Sequence, residues 1–293
     1  VFHHINHRII VLAEVFTITI IITMHYDPIK NIFAGWIKKF PVLRILFYKV
    51  LDIMFLRSWY VRRELKKLRK LFGHDKINIY DAGTGYGQYA YFMAKKLLPN
   101  NIHAIDIKKE WIEDCKEFFR ESGLTSVSFG VEDLTKIKHR DKFNLILSVD
   151  VMEHIVDDVK VFENFYRALK PGGFLMINTP SIYGGSDVHD EHEESFIGEH
   201  ARAGYSFEDL KNKLEPIGFE VYQSKYTYGY WGDKSWRLGV KYPMRMLNIS
   251  KVLSALLPFY YLITFPFTLI MMYADYQSEN KVGAGINFIA KKK

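Results

Sequence analysis

KINIYDAGTGYG, residues 76–87, runs from a stretch alternating between apolar and polar residues into a turn carrying Gly83, Gly85 and Gly87. A strand delivered into a glycine-rich turn is how an α/β sheet opens a ligand site, because glycine lets the backbone pass close to a bound molecule. The dinucleotide fingerprint asks for Gly or Ala three residues after the second glycine, and position 88 is Gln. Asp81 heads the turn. A carboxylate there repels a pyrophosphate and suits a ligand bearing positive charge.

Outward from this turn the chain alternates in the same way. The pattern predicts helices over 86–98, 109–122, 157–170 and 207–216, the last behind a capping box of Ser206 and Asp209. Strands are predicted over 101–107, 126–129, 143–148, 174–179, 219–228 and 285–291. Such alternation means a doubly wound α/β sheet with ligands at the carboxyl ends of its strands. S-adenosylmethionine, with an α-ammonium, a sulfonium and no phosphate, fits the first turn. Asp81 can hold the ammonium, and the helix N-terminus near Gly87 can face the carboxylate. Asp106 ends the second strand, 25 residues after Asp81, where an acid accepts from both ribose hydroxyls. Ile107 stands beside it. Asp133, after the third strand, can accept from an adenine amino group, with the Leu134 amide at the ring.

Residues 76–222 resemble the class I S-adenosylmethionine-dependent methyltransferases, in the subgroup of quinone and small-molecule methylases. The matching pieces, in order, are DAGTGYG, Asp106, VEDL (131–134), SVDVMEH (148–154), LKPGGFLMINTP (169–180) and EHARAGYSFEDLKNKLEPIGFEV (199–221). The resemblance implies a Rossmann-like, seven-stranded sheet with its last strand antiparallel. It also implies that Ser148 and Val149, after the fourth strand, lie beside the cofactor. Asp150, Glu153 and His154 are similar to a run linked to a divalent cation in ubiquinone-type O-methyltransferases; the expectation is nevertheless that no metal is held. His200-x-Arg202 resembles a feature bordering the acceptor pocket. It either orients an acceptor group or lets Arg202 satisfy a nearby acid.

The resemblance leaves residues 1–70 and about 230–280 unexplained, so the expected organisation is N-terminal helices over 1–70 and a methyltransferase domain over 71–293 with an apolar helical insert. The 293 residues are 16% aromatic and hold one cysteine, Cys115, which excludes a disordered chain and a disulfide scaffold. The net charge of +7 is not spread evenly. Residues 30–70 carry twelve Lys and Arg against Asp52 and Glu64, whereas the rest of the chain is slightly acidic. Residues 42–56 predict a helix with a wide apolar face and a narrow polar stripe of Arg44, Tyr48, Lys49 and Asp52, and 57–70 a cationic helix after it. That combination matches helices lying in an anionic membrane interface. Residues 9–23 are apolar but short for a span, and residues 1–23 either belong to the protein or precede a start at Met24.

The insert 252–274 contains no charged residue. If the strand 285–291 rejoins the sheet, both ends of the insert lie on one side. Pro258 and Pro266 further favour a re-entrant or surface-lying helical hairpin over a single pass. The competing identities are a lid or a dimer contact. The reading that unites these features is methyl transfer at the cytoplasmic face of a membrane, with the chain monotopic or re-entrant and the acceptor lipophilic or lipid-linked. His154, His189 and His200 are the candidate bases, needed only if the acceptor must lose a proton. His189 and His192 also have the i, i+3 spacing that can serve a metal, in a stretch that reads as an acidic loop. The alternatives are a methyltransferase of RNA or protein using the basic segment, and a non-catalytic membrane-associated binding protein. Broad apolar faces on the basic helices argue against a nucleic-acid partner.

Overall fold

The computed structural model describes residues 41–184, 201–249 and 251–293. Within these the chain forms two compact units. One comprises Tyr60–Thr227 with Glu279–Lys293, the other residues 41–59 with Tyr228–Ser278.

The larger unit is a seven-stranded sheet. In chain order its strands are β1 (Ile77–Ala82), β2 (Asn100–Asp106), β3 (Val127–Val131), β4 (Phe143–Val149), β5 (Leu169–Pro180), β6 (Phe219–Thr227) and β7 (Gly285–Lys292). They lie side by side as β3-β2-β1-β4-β5-β7-β6. β7 alone is antiparallel, paired to β5 and β6. Every strand and helix predicted from residue 76 onward to 228, and the closing strand, is present within a few residues of its expected limits. The largest shift is at β5, which begins at Leu169 instead of 174. Phe143 pairs with Leu169 and Leu145 with Phe174, so KPGG is accommodated as an irregularity inside the strand. The order reverses between β1 and β4, which opens the crevice where such sheets bind ligands.

Of the helices, α1 (Pro41–Met54) belongs to the smaller unit, and α2 (Leu56–Leu71) lies in the larger one for all but its first turn. α3 (Gln88–Lys96), α4 (Lys109–Glu121), α5 (Asp158–Ala168) and α6 (Phe207–Leu214) follow their strands. Alternation along β1, β4, β5 and β7 sends Tyr80, Ile146, Leu175 and Ala290 to one face, where Phe162 and Phe165 of α5 join them in one core. Each such aromatic, buried fully, contributes about 1.5–3 kcal/mol. Asp158, at the first position of α5, is buried and binds Arg202, Lys213 Nζ at 2.8 Å and Tyr205 Oη at 2.7 Å.

The smaller unit corrects two expectations. Arg44 and Tyr48, read as half of a narrow polar stripe, are turned inward: both are 2% exposed, and Arg44 Nε donates to Tyr48 Oη at 2.8 Å. An arginine can be buried there because a hydroxyl one turn along receives it. The insert is also not a hairpin folded at its prolines. α7 (Tyr230–Trp236), a π-turn at 237–241 and α8 (Tyr242–Ile249) form one arm, and α9 (Leu257–Gln277) forms the other as one continuous helix. Pro258 sits in the first turn, where a missing N–H costs nothing, and Pro266 is carried inside the helix. The hairpin therefore turns through Lys251–Leu256 and spans more of the chain than the uncharged run.

Small residues bring its two arms together. A Cβ on Gly232 would lie 2.8 Å from the buried Asp275 carboxylate, and one on Gly239 2.9 Å from Thr268. Gly232 N donates to Asp275 at 3.0 Å, and the π-turn carbonyls of Leu238 and Gly239 accept from Tyr260 and Tyr261. Val50 and Met54 of α1 share a core with Leu257 and Tyr261.

Burial acts upward on the Asp158 carboxyl, but the Lys213 and Tyr205 hydrogen bonds and the Lys213 and Arg202 charges outweigh it and hold the group below its ordinary value. Its contribution to stability is thus full above the ordinary aspartate value of 3.8 and is lost as pH falls below it. Asp158→Ala strands two cations and should lower stability by ~3 kcal/mol at neutral pH, read by urea unfolding.

Candidate cofactor site

The turn after β1 is held by backbone bonds to the neighbouring strand. Gly83 N and Thr84 N both donate to Ile105 O, at 3.0 and 2.7 Å, and Gly87 N closes back on Thr84 O at 2.9 Å. Gly83, Gly85 and Gly87 have φ of 82°, 54° and 81°, the left-handed region that L side chains rarely adopt. Gly83 must also be small, because a Cβ there would lie 2.3 Å from Val151 Cγ2. Around Gly85 a Cβ would meet nothing within 4 Å. That open space above the backbone is what a ligand laid across the turn needs.

Two carboxylates flank it. Asp106 is 8% exposed and takes Gly85 N on Oδ2 and Lys108 N on Oδ1, each at 3.0 Å. Each oxygen keeps a second lone pair for a hydroxyl. Asp81 is 3% exposed, and its Oδ2 accepts from Thr84 Oγ1 at 2.7 Å. Burial, reinforced by the Asp106 charge and opposed by the Thr84 hydrogen bond, pushes its carboxyl up to about 7. A carboxylate so desolvated favours a cationic partner. The donor set therefore fits S-adenosylmethionine: an acid for the ammonium, an acid for the ribose and a bare turn between them.

The remaining residues expected at the site are placed unevenly. Ile107, 67% exposed, follows β2 beside Asp106, and Leu134 is buried. The Asp133 carboxylate is engaged locally, with Oδ1 on Thr135 N and Oγ1 and Oδ2 at 3.0 Å from Lys136 Nζ. Those hydrogen bonds hold it below the usual aspartate range. Ser148 pairs with Ala82 and Ile177 and shares their core face, so its fully buried side chain points away from the face of Asp81. Val149 lies on the Asp81 face.

Of the candidate bases, His154 is exposed at the end of a 3-10 turn, Met152–His154. His189 and His200, with His192, lie outside the described residues. Glu153 is buried and accepts from Thr179 Oγ1 at 3.1 Å. Arg202 binds Asp158 and donates to Ile155 O and Val156 O, so the acid-satisfying role is the one it fills.

Sequence reasoning missed three groups. Val151 dictates Gly83 through space. Cys115, fully buried in α4, points its thiol at Gly85 O at 3.5 Å and so backs the turn from below. Asn178 and Asn287 face each other across β5 and β7, on the same face as Asp81 but two residues nearer the strand ends. Both are buried, and Asn178 Nδ2 and both amide atoms of Asn287 have no hydrogen-bond partner among the described residues. Their signal is the polar residue inside otherwise apolar strand sequences, FLMINT and GINFIAK.

Residues 73–227 match a family described as a methyltransferase domain. A malonyl-[acyl-carrier protein] O-methyltransferase of Ilyobacter polytropus is 29% identical over 146 residues, covering 48% of this chain and 54% of that protein. A demethylmenaquinone methyltransferase of Bacteroides fragilis is 27% identical over 196 residues, covering 59% and 78%. The chain thus spans about half the length of the first of these relatives. In fold it is similar to phosphoethanolamine N-methyltransferase 2 of Haemonchus contortus, solved with S-adenosyl-L-methionine, at a TM-score of 0.54 and 20% identity over 78% of this chain and 52% of that one.

S-adenosylhomocysteine carries the same ammonium and ribose. Its affinity should be full near pH 8 and fall as pH drops below about 7, by up to about tenfold per unit, because a protonated Asp81 cannot pair with the ammonium. Asp81→Asn should bind weakly with a flat pH profile by calorimetry.

Proposed function

The chain belongs to the class I S-adenosylmethionine-dependent methyltransferases through its methyltransferase domain, and from that membership we propose that it transfers a methyl group, at a membrane surface, to a lipophilic or lipid-linked acceptor. The cofactor supplies a methyl group on a sulfonium, ready for in-line displacement. The residues of the chain bind and orient. Asp81 pairs with the ammonium, Asp106 with the ribose hydroxyls, and the turn around Gly85 gives the backbone room to lie against the ligand. Positioning of this kind supplies most of the rate in a displacement that needs no covalent intermediate. Asn178 Nδ2 and the amide of Asn287, without partners among the described residues, offer donors and an acceptor for a polar group of the methyl acceptor. His154, and His189 and His200 outside the described residues, stay the candidate bases for an acceptor that must lose a proton.

The membrane part rests on α9. Its 21 residues have a mean hydropathy of 1.4 over the most apolar window, yet only 22% of that window is buried. Phe259, Leu262, Ile263, Phe267, Ile270 and Tyr273 are each 58–69% exposed. An apolar surface of that extent on a soluble chain calls for a cover. The hairpin brings both its ends back to the strands it leaves, as a monotopic or re-entrant segment requires. Tyr230 and Trp231 stand exposed at its base, the residue types that settle at headgroup level. Lys49, Lys66, Lys67 and Lys70 are exposed on α1 and α2 and add a charge attraction of about 1 kcal/mol per residue beside an anionic leaflet. The demethylmenaquinone relative is named for a lipophilic acceptor. A nucleic-acid reading has less to draw on, since Arg44 and Arg69 of the basic block are buried and hydrogen-bonded inside the protein.

Liposome floatation tests the proposal. The wild type should rise with anionic vesicles and detach only partly in high salt, because apolar burial is not screened. Ile263→Asp with Phe267→Asp should leave the protein in the soluble fraction with unchanged S-adenosylhomocysteine affinity. If the wild type itself stays soluble, α9 covers protein and the lid or dimer identity stands. Incubation of a lipid extract with methyl-labelled cofactor should put label into the lipid phase.

A further inference from the structure

Three side chains that belong to separate segments meet on the core-facing side of the sheet. His103 is on β2, Glu132 follows β3, and His139 lies in the connection to β4. His103 Nε2 is 2.6 Å from Glu132 Oε1, and His139 Nε2 is 3.1 Å from Glu132 Oε2. Their three ligand atoms all lie within 4.8 Å of one another, and among the described residues they are the group so arranged. We propose that His103, Glu132 and His139 bind a divalent first-row metal ion, zinc above all.

The hydrogen-bond pattern around the cluster supports this. Ser128 Oγ lies 2.9 Å from His103 Nδ1 and 3.2 Å from Ile102 O, so a hydroxyl stands against the ring nitrogen that does not face Glu132. The ring is thereby held with Nε2 facing a carboxylate oxygen at 2.6 Å. At that separation the nitrogen and the oxygen share one proton, and a metal ion binding here takes its place. A hydrogen-bonded Nδ1 is also how metal-binding imidazoles are oriented. Tyr80 Oη donates to Glu132 Oε2 at 2.9 Å and steadies the carboxylate in the same way. Gly130 keeps the space open, since a Cβ there would come within 3.2 Å of His103 Cε1 and 3.3 Å of Glu132 Oε1.

Two imidazoles and one carboxylate form a donor set that zinc takes, with bonds of about 2.0–2.2 Å and a fourth position for water. His103 and His139 are each about one-fifth exposed, so an ion can enter. This is not the Asp150, Glu153 and His154 run that the family resemblance singled out. It stands behind the cofactor acids instead: Glu132 precedes Asp133, and Glu132 N bonds to Asp106 O at 3.3 Å. An ion here would tie β2, the end of β3 and the 139 segment together beneath the ribose and adenine side of the site.

The test is metal titration of the full chain after chelator treatment and dialysis. Calorimetry with zinc should give one equivalent, the melting temperature should rise on loading, and cobalt should give the visible bands of a four-coordinate site. Ser128→Ala should weaken zinc binding by ~10-fold, as loss of an outer partner does, and His139→Ala by more than ~100-fold. His189→Ala with His192→Ala should keep the equivalent. His139→Ala is partly exposed, and its retained circular dichroism and S-adenosylhomocysteine binding would show that the fold persists. The proposal is overturned if the wild type takes up no stoichiometric metal, or if His103→Ala with His139→Ala binds it as before.

Discussion

Asp106 accepts two backbone N–H groups, Gly85 from the turn after β1 and Lys108 from the start of α4. On this pair of bonds the binding end of the sheet depends. They draw the glycine turn across to the end of β2, so that the Asp106 charge adds to burial in raising the Asp81 carboxyl. Val151, arriving from β4, then leaves no room for a side chain at residue 83. Three strand ends are thereby fixed against one another before any ligand arrives. Preorganisation of that kind spares a cofactor the entropy of ordering its own site.

The second unit follows a different logic. Its hairpin is held by close helix contact at Gly232 and Gly239 and by hydroxyls that satisfy the π-turn carbonyls, which are interactions that survive in an apolar surrounding. What it does not do is bury the outward side of α9. The two units thus differ in kind: the sheet has a well-covered core and carries the cofactor acids, and the hairpin leaves an apolar helix face uncovered. Asn178 and Asn287 add polar groups on the same sheet face as Asp81.

Much of the sheet was legible because its signals are local. Period-two alternation, the glycines at 83, 85 and 87 and the Ser206 cap each act within a few residues, and the predicted elements from 76 to 228 correspond to what forms. Helix α9 was less legible. Pro258 and Pro266 read as breaks, yet one falls in the first turn and the other is carried within the helix. Arg44 read as part of a polar stripe because it is charged, while in the fold it is buried with its Nε donated to Tyr48 Oη.

By itself, then, the sequence determined the alternating architecture, the acid-headed glycine turn and the acid closing β2, since each is set by neighbours along the chain. Tertiary structure alone decided that Val151 forbids a side chain at 83, that Cys115 backs the turn, and that His103, Glu132 and His139 converge. It also decided that Arg202 is spent on Asp158 instead of facing a substrate. The physical reason is separation: these contacts join segments tens of residues apart, and their energies come from register, burial and hydrogen-bond pairing that exist only once the strands are side by side.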